Sequence, residues 1–357
     1  MSDFQWALLA AAVAMVAGVW LFNLWQARSH RMAAERLFAR TAKADDILLA
    51  SEAANEGMQD QPDALTDANA TDEDNAAAVI EEFLPWADSV SDCLVRFDVA
   101  ENVSASAIWA VQSSWSDELQ KSLRWLAREN AAAPWKLVAH NDSGRYQHWL
   151  AALQLADRRG AVTDRELMVF FDGLQLLAVP LGIAVTLPGR SETLMRAQAL
   201  DEFCASVDIQ FSLQLVDGQG GLFVGTKLRG VCEAAGLVLQ DDGGFHAKNS
   251  QGVTEYVVTN SASERFTQDN LRSLATNGVT LTLDVPRVAD GVQAFNRMVG
   301  TARQLERGLG ARLVDARRVE LNDEIILSIR DKTAELQQLM YAAGMPAGSA
   351  LAMKLFS

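Results

Sequence analysis

The stretch that decides the fold runs from Gly278 to Asp315 and reads GVTLTLDVPRVADGVQAFNRMVGTARQLERGLGARLVD. Its beginning predicts a strand, which a short loop follows. From Val292 to Leu309 apolar residues recur at helical spacing along one face. Gly310 then ends the helix, and a second short strand begins after it. The stretch therefore predicts a strand, a loop, a long amphipathic helix and another strand.

The same order of elements occurs earlier in the chain. Placing Leu153–Leu155 over Leu281–Leu283 aligns the two segments without a gap, and the apolar residues of the two helices then coincide. In this alignment Gly182 meets Gly310. Ala184–Thr186 then meets 312–314 and is predicted to be the second strand. The match indicates an internal duplication; a chance match of two amphipathic helices is the alternative.

The two predicted long helices also begin with corresponding capping residues. Thr163 and Glu166 have the spacing of a capping box, in which side chain and backbone of the two residues bond reciprocally. Asp290 and Gln293 are a weaker version at the same point of the second copy. One further helix is predicted in each copy, near 192–205 and near 323–343.

The halves that precede these segments also correspond. Cys93–Val99 and Ile209–Val216 are predicted strands; in the second, Phe211, Leu213 and Leu215 point one way and the residues between them the other. A helix is predicted at Gly225–Ala235. Strands and helices in this order predict an α+β fold of split β-α-β sheets with helices on one face, in two tandem copies.

The beginning of the chain predicts a membrane anchor. No charged residue occurs from Phe4 to Ala27, and at about 1.5 Å per helical residue this run crosses a hydrocarbon core of about 30 Å. Basic residues, which stay on the cytoplasmic side, follow at Arg28, Arg31, Arg36, Arg40 and Lys43. A single transmembrane helix is therefore predicted, with the N-terminus outside and the bulk of the chain inside. A cleaved signal peptide is the alternative.

The net charge of −15 comes from one segment. Between Lys43 and Arg96 there are fourteen acidic residues and no basic one, which leaves the rest of the chain nearly neutral. Nucleic-acid binding therefore has little electrostatic support. Residues 52–78 contain few large apolar groups and cannot bury enough surface to fold. An acidic disordered tether is predicted; binding of a specific acidic ligand is the alternative.

Signals for catalysis are weak. The three cysteines, Cys93, Cys204 and Cys232, have neither disulfide nor zinc spacing. The segment Asp217-Gly-Gln-Gly-Gly lacks the P-loop lysine and predicts a turn. The sequence predicts no enzyme, no cofactor and no metal site.

From about Val207 to Leu339 the chain resembles the cytoplasmic domain of the ZipA cell-division family. Gly278–Pro286 is the clearest matching segment, and the others match in the same order: Ile209–Val216, Glu233–Leu239, Tyr256–Asn260, Val292–Gly310 and Ala311–Asp315. The succession of anchor, basic neck, acidic linker and C-terminal domain agrees as well. Residues 90–205 have no counterpart in the enterobacterial form, so the chain is similar to a divergent, β-proteobacterial-like branch.

The resemblance implies a cell-division adaptor. ZipA-like proteins anchor and stabilise filaments of the tubulin-like FtsZ (the Z ring) at the inner membrane, and they bind the C-terminal tail of FtsZ as a helix in a shallow groove on the open sheet face. The implied partners are this tail and inner-membrane lipid, at midcell during division. Nucleic acid and small-molecule substrates are not implied.

Eight positions correspond to the groove of the family: Gln210, Ser212, Asp242, Gly244, Thr259, Ser261, Thr280 and Thr282. Several of these are large and apolar in the enterobacterial pattern, and each lost aliphatic or aromatic contact removes about 1.5–3 kcal/mol. Two interpretations stay open, a working groove and a solvated sheet face.

An alternative apolar patch is predicted in the first copy. If Leu153 and Leu155 face the helices, then Tyr146, His148 and Leu150 face outward, where Leu94 joins them. Aromatic residues suit binding hot spots, and the first copy contains Trp109, Trp115, Trp125, Trp135 and Trp149.

The predicted organisation has five parts: an anchor at 1–27, a basic neck and linker at 28–88, a first α+β repeat at 89–206, a ZipA-like domain at 207–345 and a tail at 346–357. Two other functions stay open. One is a membrane-anchored scaffold for another division or envelope protein, and the other is an enzyme or small-ligand sensor with a cleft between the repeats.

Overall fold

The computed structural model describes residues 86–315 and 318–357. The predicted anchor and nearly all of the predicted neck and linker lie outside the described residues. Within those two ranges, no helix has both the length and the apolar composition that crossing a membrane requires.

The first part of the described chain contains one four-stranded antiparallel sheet. Its elements are, in chain order, β1 (Asp92–Ser104), α1 (Ala105–Gln112), β2 (Leu123–Arg128), β3 (Lys136–Leu137), β4 (Arg145–Gln154), β5 (Ala156–Asp157), β6 (Gly160–Ala161), α2 (Asp164–Leu181) and α3 (Arg190–Val207). The strand order is β1-β4-β2-β3, and β5 and β6 form a separate hairpin.

The second part contains a six-stranded antiparallel sheet. Its elements are β7 (Gln210–Asp217), β8 (Phe223–Val224), α4 (Gly225–Ala234), β9 (Val238–Leu239), β10 (Phe245–Lys248), β11 (Thr254–Asn260), β12 (Ala275–Thr276), β13 (Gly278–Asp284), α5 (Gly291–Leu309), β14 (Ala311–Val314), α6 (Asp323–Ala342) and α7 (Ala350–Leu355). The strand order is β14-β7-β13-β11-β10-β9, and β8 pairs with β12. The predicted α+β class is confirmed.

Helices cover one face of the second sheet because its strands alternate apolar and polar residues. Leu213 and Leu215 of β7 are fully buried and belong to one core with Phe295 and Met298 of α5. Ser212, which lies between two inward-pointing residues of β7, is exposed. The alternation predicted for β7 is confirmed, and the sheet keeps one face free of the helices.

The two long helices begin and end as predicted. The Oγ1 atom of Thr163 accepts from the Glu166 amide at 3.2 Å, and the Glu166 carboxylate accepts in return from the Thr163 amide at 3.0 Å. Asp290 accepts from the Gln293 amide at the start of α5. Both helices end at a glycine in the left-handed region, with φ of 63° at Gly182 and 74° at Gly310.

One predicted strand is missing from the first sheet. In the second sheet, β14 pairs with the outer edge of β7. The corresponding segment Ala184–Thr186 is not a strand, so that prediction is wrong. Ile183, Val185 and Leu187 pack half-buried against the first core, but no backbone hydrogen bond in the described ranges joins this segment to β1. Side-chain packing therefore holds it without a strand partner.

The C-terminal residues return to the first sheet. Leu355 and Phe356 are 0% and 1% exposed, and both belong to the core formed by β1, β4, α2 and α3. Beside them, the guanidinium of Arg158 in the β5–β6 turn bonds to Asp208 and Asp284. The segment 346–357, expected to be a tail, is thus packed against the first sheet.

Candidate partner-binding site

The open face of the second sheet is a polar surface built by strand alternation. Leu213 and Leu281 are buried toward the helices, so their neighbours Ser212 and Thr282 point away from them. The β7–β13 register places Ser212 opposite Thr282, with 3.1 Å between the two hydroxyl oxygens. A polar surface therefore extends across adjacent strands.

All eight positions predicted from the sequence lie on or beside this face. Six are on or next to β7, β11 and β13, and Asp242 and Gly244 are in the turn before β10. Ser261 and Thr280 also pair through their hydroxyls, at 3.0 Å. Gly244 is buried, and a side chain there would come within 2.4 Å of Val257 Cγ1. The eight predicted positions thus bring hydroxyl, amide and carboxylate groups to the face, and none of them is a large apolar residue.

A groove of about 470 Å³ opens at one end of this face. Its lining is Gln210, Asp242, His246, Val253, Thr254, Glu255, Tyr256, Val257, Thr282, Asp284, Arg287, Val288 and Met353. Three of the eight predicted positions, Gln210, Asp242 and Thr282, belong to this lining. The groove is therefore displaced from the centre of the predicted set toward α7.

The groove has an apolar side that the sequence analysis missed. Val253 is 47% exposed, Val257 and Met353 are half-buried, and Val288 is buried. Val257 lies opposite Thr282 in the β11–β13 register, so strand alternation could have placed it on the open face. Met353 comes from α7, more than ninety residues further along, and no local signal in the sequence points to it. These side chains supply apolar contact surface that the eight predicted positions lack.

Two carboxylates flank this apolar side. An Asp242 oxygen lies 2.8 Å from His246 Nε2, and His246 Nδ1 lies 3.0 Å from Thr254 Oγ1. Asp284 accepts from Arg158 at 2.8 Å and from Gln210 Nε2 at 3.2 Å. The groove thus combines aliphatic side chains with acidic and hydrogen-bonding groups, which is the chemistry of peptide docking.

The Arg158 contact fixes one wall of the groove. Hydrogen bonds to Asp208 and, despite partial burial, to Asp284 raise the pKa of the Arg158 guanidinium above its usual value. The arginine therefore stays charged and holds the end of β13 against the β5–β6 turn of the first sheet.

The alternative patch is not an open apolar surface. Leu150 does lie on the outer face of β4, but it is only 5% exposed because it packs with Trp135, Leu126 and Ala87, with Leu94 half-buried against them. His148 bonds to Asp98 at 2.6 Å. The apolar groups of this face are thus covered within the described chain.

The orientation predicted for Tyr146 is wrong. Tyr146 is fully buried in the first core, and its ring contacts Trp149 edge-on at 5.4 Å. The β1–β4 register shifts between the pairs Asp98–His148 and Val103–Tyr146. Such an irregularity interrupts the two-residue alternation on which the prediction was based, so Tyr146 faces the core.

The residues that the structure describes contain no cluster of candidate metal ligands: no three His, Cys, Asp or Glu side chains among them are placed to hold a metal ion. The Asp217 carboxylate accepts from the Gln219 and Gly221 amides, at 2.8 and 2.7 Å. This glycine-rich segment is the predicted turn.

Fold and site together define an α+β module whose sheet is covered by helices on one face and carries a groove on the other. Residues 210–332 match the family model described as the ZipA C-terminal FtsZ-binding domain. The chain is also similar to the cell division protein ZipA of Marinobacter nauticus, with 29% identity over 123 residues. The resemblance to the ZipA family suggested by the sequence is confirmed for residues 210–332, which match the C-terminal domain of that family.

The comparison covers a limited part of both proteins. The aligned residues make up 33% of this chain and 36% of the Marinobacter protein, so the chain spans about a third of the length of that relative. The first sheet, residues 92–154, lies outside the matched range. The comparison thus concerns the sheet that carries the groove.

Proposed function

We propose that this chain is a non-enzymatic cell-division adaptor that binds the C-terminal tail of FtsZ and holds FtsZ filaments at the bacterial inner membrane. One observation carries the proposal: the match to an FtsZ-binding domain at 210–332 coincides with an open sheet face and a groove of about 470 Å³. Nucleic acid and small-molecule substrates have no part in this function.

The groove docks one face of a helical tail peptide. Val253, Val257 and Met353 accept its aliphatic side chains, and each such side chain that is fully buried contributes about 1.5–3 kcal/mol. Asp242 and Asp284 receive its basic or amide groups. The hydroxyls of Thr280 and Thr282 give hydrogen bonds along the rest of the face. The affinity for the tail peptide thus comes from the end of the face where Met353 of α7 lines the groove.

The N-terminal residues provide the membrane attachment in this proposal. Phe4–Ala27 crosses the inner membrane with the N-terminus in the periplasm, and the basic residues after it lie against the cytoplasmic leaflet. The acidic residues of the linker between Lys43 and Asp88 repel one another and that leaflet, so the linker stays extended. The folded part therefore reaches filaments at a distance from the membrane, at midcell during division.

The same proposal includes a tandem origin for the two sheets. In both, the first strand pairs antiparallel with the last long strand before the long helix, β1 with β4 and β7 with β13. In both, that helix ends at a left-handed glycine, Gly182 or Gly310. The first copy then lost its outer edge strand and gained the C-terminal helix α7 as part of its core.

Titration of the full chain, reconstituted in lipid nanodiscs, with a fluorescent FtsZ tail peptide tests the proposal. Val257→Asp and Thr282→Asp place a charge in the groove and are expected to weaken binding at least tenfold. Leu222→Asp, at a residue that is 60% exposed outside the groove lining, is the matched control and should change binding less than twofold. Unchanged binding in both groove variants would overturn the proposal.

The paired hydroxyl groups on the open face favour a second candidate, a membrane-anchored scaffold for another division or envelope protein. The two candidates differ in what they require of FtsZ. A fluorescent fusion that reaches midcell while the purified chain does not cosediment with FtsZ filaments supports the scaffold. Midcell localisation together with cosedimentation supports the adaptor.

A further inference from the structure

Strand β1 is the end strand of the first sheet. It pairs with β4 on one side only. In the second sheet, the corresponding side of β7 is occupied by β14. Strand β1 pairs regularly with β4 from Asp92 to Asp98, and the Arg196 guanidinium reaches its outer edge at the Asp92 carbonyl, at 3.4 Å. The part of the edge beyond Asp92 is a template for another strand.

The register shows which backbone groups this edge presents. The Ser91 carbonyl accepts from the Leu155 amide at 2.8 Å. Ser91 and Leu155 therefore form a hydrogen-bonded pair, and bonded and non-bonded pairs alternate along an antiparallel ladder. Every second residue after Ser91, including Val95 and Phe97, thus turns its amide and carbonyl groups toward β4. Arg96 and Asp98 turn theirs to the outer edge. No backbone hydrogen bond from these two residues to another element occurs within residues 86–315 and 318–357.

The charges on this edge complement each other in one particular register. The side chains of Arg96 and Asp98 are 35% and 55% exposed, and within one copy Arg96 Nε lies 4.0 Å from Asp98 Oδ1. If a second β1 runs antiparallel, with Phe97 opposite Phe97 of the second copy, Arg96 of each copy lies opposite Asp98 of the other. In this register, Arg96 and Asp98 of opposite copies also form hydrogen-bonded pairs of the ladder, because the amide and carbonyl groups of both residues point to the outer edge. Charge pattern and backbone pattern therefore agree on the same two-fold arrangement.

We propose that two copies of this chain associate through β1, antiparallel about Phe97, so that their four-stranded sheets join into one eight-stranded sheet. Four backbone hydrogen bonds, two for each Arg96–Asp98 pair, and two cross-strand ion pairs hold the centre of the interface. This association does not use the proposed tail-binding surface, because no residue that lines the groove lies in β1. In a membrane-anchored chain it would link two filament-binding modules.

Charge exchange tests the register. Fluorescence energy transfer between donor- and acceptor-labelled full chains in vesicles, followed as lipid dilutes the protein, reports association. Arg96→Asp and Asp98→Arg each place like charges opposite one another, and each should weaken association at least tenfold. The double variant, Arg96→Asp with Asp98→Arg, restores both pairs and should return to within threefold of the unaltered chain. A mixture of the two single variants restores the pairs between copies but not the Arg96–Asp98 pair inside each chain, and it should recover association as well. Glu129→Arg, an exposed charge reversal outside β1, is the control and should leave association unchanged.

A backbone variant tests strand pairing itself. Proline at 96 removes an amide that points away from β4, and proline is tolerated at such edge positions. Arg96→Pro should therefore keep the helical content and lose association. The Asp98–His148 contact is lost in Asp98→Arg and is still lost in the double variant. If the double variant associates again, the loss of association in Asp98→Arg did not come from the loss of this contact.

Three outcomes overturn the proposal. The first is a chain that stays monomeric at the highest protein density, as expected if Ile183–Leu187 covers the edge within one copy. The second is association that the double variant does not recover. The third is a folded Arg96→Pro chain that associates as well as the unaltered one. If Arg96→Pro does not fold, the charge-exchange variants still test whether two copies associate through β1.

Discussion

Asp92 and Lys354 form a buried ion pair that joins the first strand to the last helix. The Lys354 ammonium donates to both oxygens of the Asp92 carboxylate, and the exposed fractions of the two side chains are 9% and 0%. Burial lowers the pKa of Lys354 more than Asp92 raises it. The carboxylate also accepts from Ser91 Oγ and the Asp88 amide. Loss of either charge would leave the other buried without its counter-ion.

Lys354→Met is therefore expected to lower the free energy of unfolding by about 3–5 kcal/mol, the usual cost of removing one partner of a buried pair. Asp92→Asn combined with Lys354→Met removes both charges and should recover part of this loss. Urea denaturation of the two variants measures the difference. Lys332→Met, which breaks the exposed Lys332–Glu335 pair, is the control. A Lys354→Met loss no larger than that of the control would contradict the prediction.

The Glu166 carboxylate makes stability depend on pH. Burial raises its pKa, but hydrogen bonds from Thr163, Gln120 and Lys121 outweigh burial and hold the pKa below the ordinary value of 4.5. The Glu166 carboxylate is thus protonated less readily in the folded state than in the unfolded chain. The stability contributed by Glu166 is present above pH 4.5 and is lost as pH falls through the folded pKa.

Glu166→Gln should lower the free energy of unfolding at pH 7 by about 1–3 kcal/mol, because three backbone amides lose a charged acceptor. It should also flatten the decline in stability below pH 4.5. Thermal unfolding at a series of pH values checks both effects. Glu202→Gln, at an exposed position of α3, controls for the loss of one negative charge. A variant that is as stable as the unaltered chain at pH 7 would refute the assignment.

Local patterns predicted the elements that depend on nearby residues. The capping box at Thr163, the glycine ends of α2 and α5, and the alternation in β7 all follow from interactions over one to four residues. Strand alternation also places the predicted positions within β7, β11 and β13 on the face away from the helices. That this face binds the partner stays a prediction.

The errors come from long-range packing. Ala184–Thr186 has the alternation of a strand, but a strand also needs a backbone partner, which local sequence does not encode. Tyr146 faces the core because the β1–β4 register shifts beside it. Met353 reaches the groove only because Leu355 and Phe356 are buried in the core of the first sheet. Each of these depends on residues far away along the chain.

The glycine at the end of α5 should tolerate alanine less well than one inside the helix. At Gly310, φ is 74° and no atom lies within 4 Å of an added Cβ, so the cost of alanine is purely conformational. Gly310→Ala is expected to destabilise by about 1–2 kcal/mol. Gly300→Ala, with equally open surroundings in the middle of α5, should stabilise by about 0.5–1 kcal/mol. Thermal unfolding of the two variants measures both changes in stability. If both variants were stabilised or both destabilised, backbone conformation would not determine the effect of alanine.

The cysteines should be unreactive in the folded chain. Cys93, Cys204 and Cys232 are buried and free, and burial raises the pKa of each thiol to about 12. Thiolate is the reactive form, so a chromogenic disulfide reagent at pH 8 should modify none of them rapidly. In denaturant, all three cysteines of the chain should react at the rate of a free thiol. Rapid modification of one cysteine in the native chain would show that its surroundings open readily.

Met353 connects the C-terminal helix to partner binding. It is half-buried, and it is the one residue of α7 in the groove lining given by the described residues. If the tail peptide docks there, Met353→Ala removes apolar contact worth about 1 kcal/mol, which corresponds to roughly fivefold weaker binding. Leu351→Ala is the matched control, because Leu351 lies on the same helix but packs half-buried against the first core. Peptide titration together with urea denaturation separates the two roles: Met353→Ala should weaken binding with little loss of stability, and Leu351→Ala should do the reverse. Equal binding losses would mean that α7 acts only by supporting the fold.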